Sequence, residues 1–176
     1  MKKVILSVLL ILTSSFAAQT PTFVQKKALI QRIAVRSSHF NSKLAKPVRR
    51  ALGRVIVQKA LERQIKPSLV ASIIAVESRF RLDAYNRSGD YSLAQINYSI
   101  WSKEFKRLEM ESLSKQKLIT DVNYAIEIMV KILEILKKRH SAIDEEWYLR
   151  YHSGTPFYKK RYKKRLDKAL KVFDKN

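Results

Sequence analysis

The chain has 176 residues, 46% of them hydrophobic, which is enough for one domain with a substantial core and argues against wholesale disorder. It contains no cysteine, which excludes structural disulfides, a thiol nucleophile, a lipid-modified cysteine and thiolate metal sites. Lys and Arg number 36 against 15 Asp and Glu, a formal charge of +21, and a field of that size implies an anionic partner or surface. With only three glycines and four prolines among many helix formers, the expected fold is mainly α.

In chain order, Lys2 and Lys3 precede the apolar run Val4 to Leu12 and then Thr13 to Ala18, with a Ser15-Phe16-Ala17 cleavage pattern. This predicts a secretory signal over residues 1–17 and hence export to the periplasm or beyond. The run is too short for a bilayer span, which takes ~20 apolar residues; an uncleaved anchor is the alternative. Export shifts the expected anionic partner toward a wall polymer or a membrane surface. Nucleic acid is disfavoured, because no groove-reading motif accompanies the charge. Residues 18–43 are basic and weakly patterned, and read as a flexible or partly helical arm ahead of a globular domain over 44–176.

Leu44 to Gln64 carries Ala51, Leu52, Val55, Ile56, Ala60 and Leu61 near helical spacing, with Pro47 close to its start. Pro67 opens the next helix, which runs to Glu77-Ser78-Arg79-Phe80. On that helix Ile73 and Ile74 lie three and four positions before Glu77 and share its face, and Val70 and Leu69 extend the stripe. A carboxyl rising from an apolar stripe loses solvation of its charged form, so its pKa should rise. Glu77 is therefore a candidate general acid at neutral pH. The plainer reading is a surface residue paired with Arg81.

From Arg81 to Asn97 helical patterning breaks. Asn86, Ser88, Gly89 and Asp90 supply turn chemistry, and Tyr91 to Asn97 reads as a short extended return. Ile100 to Leu118 is expected to be helical in pieces. Asp121 to His140 predicts a longer helix, capped by Thr120 or Asp121, with Tyr124, Ile128, Ile132 and Ile135 in step and Lys137-Lys138-Arg139 at its negative end. Asp144 is placed to cap a further helix to Ser153, which Gly154 ends, and Pro156 begins a last basic helix.

Glu77-Ser78-Arg79-Phe80, Asp83-Ala84-Tyr85-Asn86 and Gly89-Asp90-Tyr91-Ser92-Leu93-Ala94-Gln95-Ile96-Asn97 together resemble the lytic transglycosylase domain. The resemblance is nearest to the small enzymes attached to type III and type IV secretion systems. Downstream, Asp121-Val122-Asn123-Tyr124-Ala125 looks like the family's helix-opening Asn segment. Tyr151-His152-Ser153-Gly154-Thr155-Pro156, with Tyr162 beyond, resembles its Tyr-Asn or Tyr-His-Ser motif. The likeness spans roughly Lys59 to Leu166, with four motifs in order.

The resemblance implies a lysozyme-like helical fold, with a short irregular or β-hairpin segment beside the catalytic helix. It also implies cleavage of peptidoglycan between N-acetylmuramic acid and N-acetylglucosamine, with no cofactor and no metal. Glu77 becomes the general acid and base, with Ser78, Gln95, Asn123 and Tyr151 positioning sugar or orienting the carboxyl. Taken alone, Ser78 reads as a helix-end hydrogen bonder, Gln95 as a solvated strand residue, Asn123 as a helix-start residue, Tyr151 as core and His152 as structural. Family glycine is Ser92 here and family methionine is Ala94, which implies a narrowed backbone approach at the first and an enlarged subsite at the second.

Paired-carboxylate glycosidases need a second acid, and only Asp83 and Asp90 lie near in sequence, both in turn-like settings. The resembled family works with one: its Glu protonates the leaving oxygen, then takes the C6 hydroxyl proton of the same muramyl residue, leaving a 1,6-anhydro sugar. A hydrolytic muramidase of the same fold, and a non-catalytic cationic protein binding cell wall or nucleic acid, are the competing readings. The basic tail around Lys159-Lys160-Arg161 and Lys163-Lys164-Arg165 is either a solvated face or an attractor for stem-peptide carboxylates, teichoic acid or lipid head groups. A secretion-system component is a further possible partner.

Overall fold

The computed structural model describes residues 21–175; the signal expected over 1–17 lies outside the described residues. Among the described residues there are seven α-helices: α1 (Phe23–Arg36), α2 (Lys46–Glu62), α3 (Pro67–Glu77), α4 (Tyr98–Arg107), α5 (Lys115–Thr120), α6 (Val122–His140) and α7 (Pro156–Asp174). Between α3 and α4 two short strands, β1 (Asp90–Tyr91) and β2 (Ile96–Asn97), pair antiparallel, with Asp90 opposite Asn97 and Tyr91 opposite Ile96. The architecture is mainly α with one small hairpin, as the composition predicts. Among the described residues no helix is long and apolar enough to cross a membrane.

The centre of the molecule is α3. Every residue from Pro67 to Val76 is buried, and a helix that is apolar on all sides can only be stable inside a core. Pro67 starts it where the missing N–H costs nothing. Its far end is abrupt. The Ser78 hydroxyl donates to the Ile74 carbonyl at 3.2 Å, and Arg79 and Phe80 then adopt left-handed backbone, φ +55° and +58°. Phe80, fully buried, packs with Phe40 and Phe173, ring centroids 6.4 and 6.1 Å away.

Around α3 the other helices present single apolar stripes. On α7 the buried positions are Tyr162, Leu166, Ala169 and Phe173, a helical spacing that lays one face on α3 and turns most of the Lys and Arg side chains outward. Asp121 caps α6 by accepting the N–H groups of Asn123 and Tyr124, as expected, and the cations Lys137, Lys138 and Arg139 lie in its last turn. Glu127 on α6 ties that helix to α2 through Lys59 at 2.7 Å and Arg63 at 2.5 Å, which holds its carboxyl below the usual range despite burial.

One segment differs in form from the sequence reading. The helix expected from Asp144 to Ser153 is only a 3-10 turn over Trp147–Tyr151. Five residues barely exceed one turn and cannot nucleate a longer helix, so Asp144 spends its carboxylate on the Glu146 N–H, Arg150 and Lys159 instead. The stretch read as a basic arm contains α1, opened by a capping box in which Thr22 and Gln25 bond each other reciprocally. Ile33 and Ala34 of α1 are buried against the core.

That docking depends on Gly53 of α2. A Cβ there would sit 2.7 Å from the Ile30 carbonyl oxygen of α1, so the helices touch backbone to backbone. In a free helix Gly→Ala gains roughly 0.5–1 kcal/mol. Here Gly53→Ala is expected to reverse that sign and destabilise the protein by about 1–3 kcal/mol in urea unfolding, because the crossing must open. A variant more stable than the parent would show that α1 does not lie against α2.

Candidate active site

Glu77 ends α3 at the floor of a groove of about 640 Å³. The hairpin walls it with Asn86, Asp90 and Gln95, α4 with Trp101, and the turn before α7 with Tyr151, His152 and Ser153. Only 12% of the Glu77 side chain is exposed, and its Oε1 is buried without a hydrogen-bond partner. The apolar stripe brings this about: Ile73 and Ile74 beneath it are fully buried, so the carboxyl stands where the core meets the groove. Arg81 does not pair with it; its Nε donates to the Ser78 carbonyl at 3.3 Å.

Two aromatic rings stand beside the carboxyl. His152 places Nδ1 3.5 Å from Glu77 Oε1, and its ring lies flat on Tyr162, centroids 4.5 Å apart at 5°. Tyr162 is 1% exposed and turns its hydroxyl toward Glu77. Burial, then the Glu77 charge and its pull on the phenolic hydrogen, push that phenol well above the usual tyrosine range. The pair is near but not closed as a hydrogen bond, since neither the Tyr162 hydroxyl nor Glu77 Oε1 has a partner at bonding geometry. Arg165 reaches from α7 to donate to the Val76 carbonyl at 2.5 Å, satisfying one of the last acceptors of α3 next to the acid.

The residues expected to assist Glu77 divide. Tyr151 and Gln95 line the groove with it. The Tyr151 hydroxyl, however, donates to the Ala94 carbonyl at 2.8 Å rather than to Glu77, so this tyrosine clamps the hairpin to the turn before α7. Burial and the nearby Glu77 charge still raise its phenol well above the ordinary value. Gln95 sits in left-handed backbone, φ +50°, and its amide donates to the Ala84 and Ser92 carbonyls at 3.1 and 3.0 Å. It shapes the wall.

Ser78 is buried with its hydroxyl turned back onto α3, the plain helix-end role, and Asn123 is exposed at the start of α6, outside the groove lining. Neither lines the groove: Ser78 is the C-cap of α3 and bonds back to it, just before the chain reverses at Arg79 and Phe80, and Asn123 follows a solvent-facing cap. Ser92 has φ +69°, the conformation a glycine takes without strain, and its hydroxyl steadies the turn by accepting from the Ala94 N–H at 3.3 Å. Ala94 is fully buried, so its side chain enlarges no subsite; its carbonyl is what matters.

Asp90 also lines the groove, but both its oxygens are occupied: Asn86 donates to one at 2.6 Å and Asn97 to the other at 2.8 Å. The groove thus offers one carboxyl free for proton transfer and a second locked into the hairpin. Sequence reasoning passed over His152 as structural and left Tyr162 as a trailing motif residue. The usable signal was an aromatic at 162 inside the run Lys159 to Arg165, where a purely solvated face would hold none.

The family model described as Transglycosylase SLT domain matches residues 54–173, which takes in α3, the hairpin and most of α7. No curated protein and no solved structure gives a match.

The raised Tyr162 phenol carries a sign for stability. Below pH 10, the ordinary tyrosine value, folded and unfolded chains both keep the proton; above it the unfolded chain releases a proton that the folded chain retains, so stability falls as pH rises. The expected cost is about 1.4 kcal/mol per pH unit. Urea unfolding between pH 9 and pH 11 should show a steeper decline for the parent than for Tyr162→Phe. Equal slopes would place the hydroxyl in solvent.

Proposed function

The chain belongs to the transglycosylase SLT family, and from that membership and the geometry around Glu77 we propose an exported peptidoglycan lytic transglycosylase with Glu77 as its general acid and base. Family membership itself makes this a mainly α, lysozyme-like transglycosylase domain with peptidoglycan as substrate. The finer reading rests on one observation. Of the two acids lining the groove, Glu77 alone has an oxygen without a donor, while Asp90 is held by two amides.

Glu77 gives its proton to the glycosidic oxygen as the bond to C1 of the muramyl sugar breaks, with positive charge at C1 sheltered by the sugar's own 2-acetamido group. The carboxylate then takes the proton of the C6 hydroxyl, whose oxygen closes on C1. The product is a 1,6-anhydro sugar, and no water enters the balance. Tyr162 and His152 stand beside Glu77, and Tyr151 keeps the hairpin wall against the turn before α7. A tyrosine that keeps its proton throughout adds no negative charge beside the acid.

Export is supported by the Lys2-Lys3 and Val4 to Leu12 pattern, and the secretion-linked subgroup by the likeness of the Glu77-Ser78 and Gly89 to Asn97 motifs to those small enzymes. Purified protein is expected to release anhydro-muropeptides from sacculi. Glu77→Gln should reduce that release by at least ~10³-fold with unchanged circular dichroism, since one group does both proton transfers. Mass spectrometry of the products separates the alternatives: reducing ends in place of anhydro ends identify a muramidase, and near-parental turnover by Glu77→Gln removes Glu77 from the mechanism.

A further inference from the structure

Six of the eight cations of α7 fall into two sets. Lys159 pairs with Asp144 at 2.9 Å, and Lys163 with Glu146 and Asp167 at 2.8 and 3.0 Å, so that side of the helix is neutralised locally. Arg161, Lys164, Arg165 and Lys168 follow one another at steps of three, one and three, which places them on one face. No acid faces them within ion-pair distance among the described residues: Arg161 lies over the Phe157 ring, and Arg165 reaches the Val76 carbonyl. With Tyr158 and His152 they line a concavity of about 560 Å³.

This concavity shares His152 and Arg165 with the groove that holds Glu77. The two spaces are neighbours across the residues flanking the acid. Four like charges on one helical face repel one another by a few tenths of a kcal/mol per close pair, and no ion pair among the described residues offsets that cost. An anion lying along the face would lift it.

We propose that this cationic concavity is a subsite for the carboxylate-bearing stem peptide of the same peptidoglycan strand whose sugars occupy the Glu77 groove. The inference rests on the lytic reading above. Cleavage puts a muramyl sugar against Glu77, and every such sugar carries its peptide on a lactyl ether, so an anionic branch must leave the groove within a few ångströms of the acid. The face from Arg161 to Lys168 extends about 10 Å along the helix, room for more than one carboxylate of a short peptide. The subsite thus serves substrate registration: a strand whose peptide enters it is held with one sugar in step with Glu77.

The test compares glycan strands with intact stem peptides and the same strands stripped by an amidase, using the full chain and the triple variant Arg161→Gln, Lys164→Gln, Lys168→Gln. On peptide-bearing strands the triple variant should show KM raised about tenfold with kcat unchanged, from three partly exposed ion pairs lost. On stripped strands both proteins should behave alike. Equal losses on the two substrates, or no loss on the peptide-bearing one, would overturn the proposal. So would a defect seen only when phosphate-rich wall polymer is left attached. Should the parent release no anhydro sugar from either substrate, the lytic reading fails by itself. Co-sedimentation with the same two polymers then decides the subsite: a tenfold weaker hold by the triple variant on peptide-bearing strands alone supports it, and equal binding overturns it.

Discussion

The whole arrangement depends on ending a fully buried helix with an acid. α3 is stable only because α7, α2 and α1 pack around it, and Glu77 is the first position at which it can reach water. One turn earlier the carboxyl would be entombed; one residue later it would take the buried C-cap position of Ser78, just before the chain reverses. The reversal is itself costly. Two successive non-glycine residues in left-handed backbone cost about 1–2 kcal/mol each, of the same order as what Phe80 returns by full burial among Phe40 and Phe173. The aromatic cluster therefore fixes where α3 stops, and so where its acid sits.

α7 completes that placement from the other side. Tyr162 and Arg165 are three residues apart and meet the end of α3 together, one toward the carboxyl and one on the Val76 carbonyl. His152, stacked on Tyr162, brings the preceding turn into register. Moving α7 would thus shift the surroundings of Glu77 on three sides at once, although no part of α7 follows Glu77 closely in sequence. The same helix carries the unneutralised cations, so the element that steadies the acid also sets the electrostatic border of the groove.

Much of this was legible in the residues, and the limits are specific. The stripe under Glu77, Pro67 as a start, the Asp121 cap and the turn chemistry around Gly89 are local signals, and each appears where its local physics puts it. The contact of Tyr162 with Glu77 was not legible, because it joins positions 85 residues apart and hides in a run read as solvated charge. Tyr151 was placed in the groove by motif, yet its hydroxyl direction is decided by the Ala94 carbonyl, which no motif describes. The docking of α1 rests on a backbone approach at Gly53 that has no hydropathy pattern at all. Asn123 shows the converse: a motif match at a helix start is satisfied by capping geometry alone, without bringing that side chain to the groove.

The hairpin decides which groove carboxyl is left unoccupied. A hydrolytic pair needs its second carboxylate free to hold water or to attack carbon. Asp90 instead accepts from Asn86 and Asn97, which makes it the knot between the turn and β2. Asn86 also takes the N–H groups of Ser88 and Asp90 on its side-chain oxygen, so releasing Asp90 for chemistry would loosen the whole turn. Ser92 and Gln95, both in left-handed backbone, and the Tyr151 clamp keep the rest of that wall in one shape. A wall this interlocked keeps Asp90 in the hairpin and leaves Glu77 as the one groove carboxyl with an oxygen free of donors.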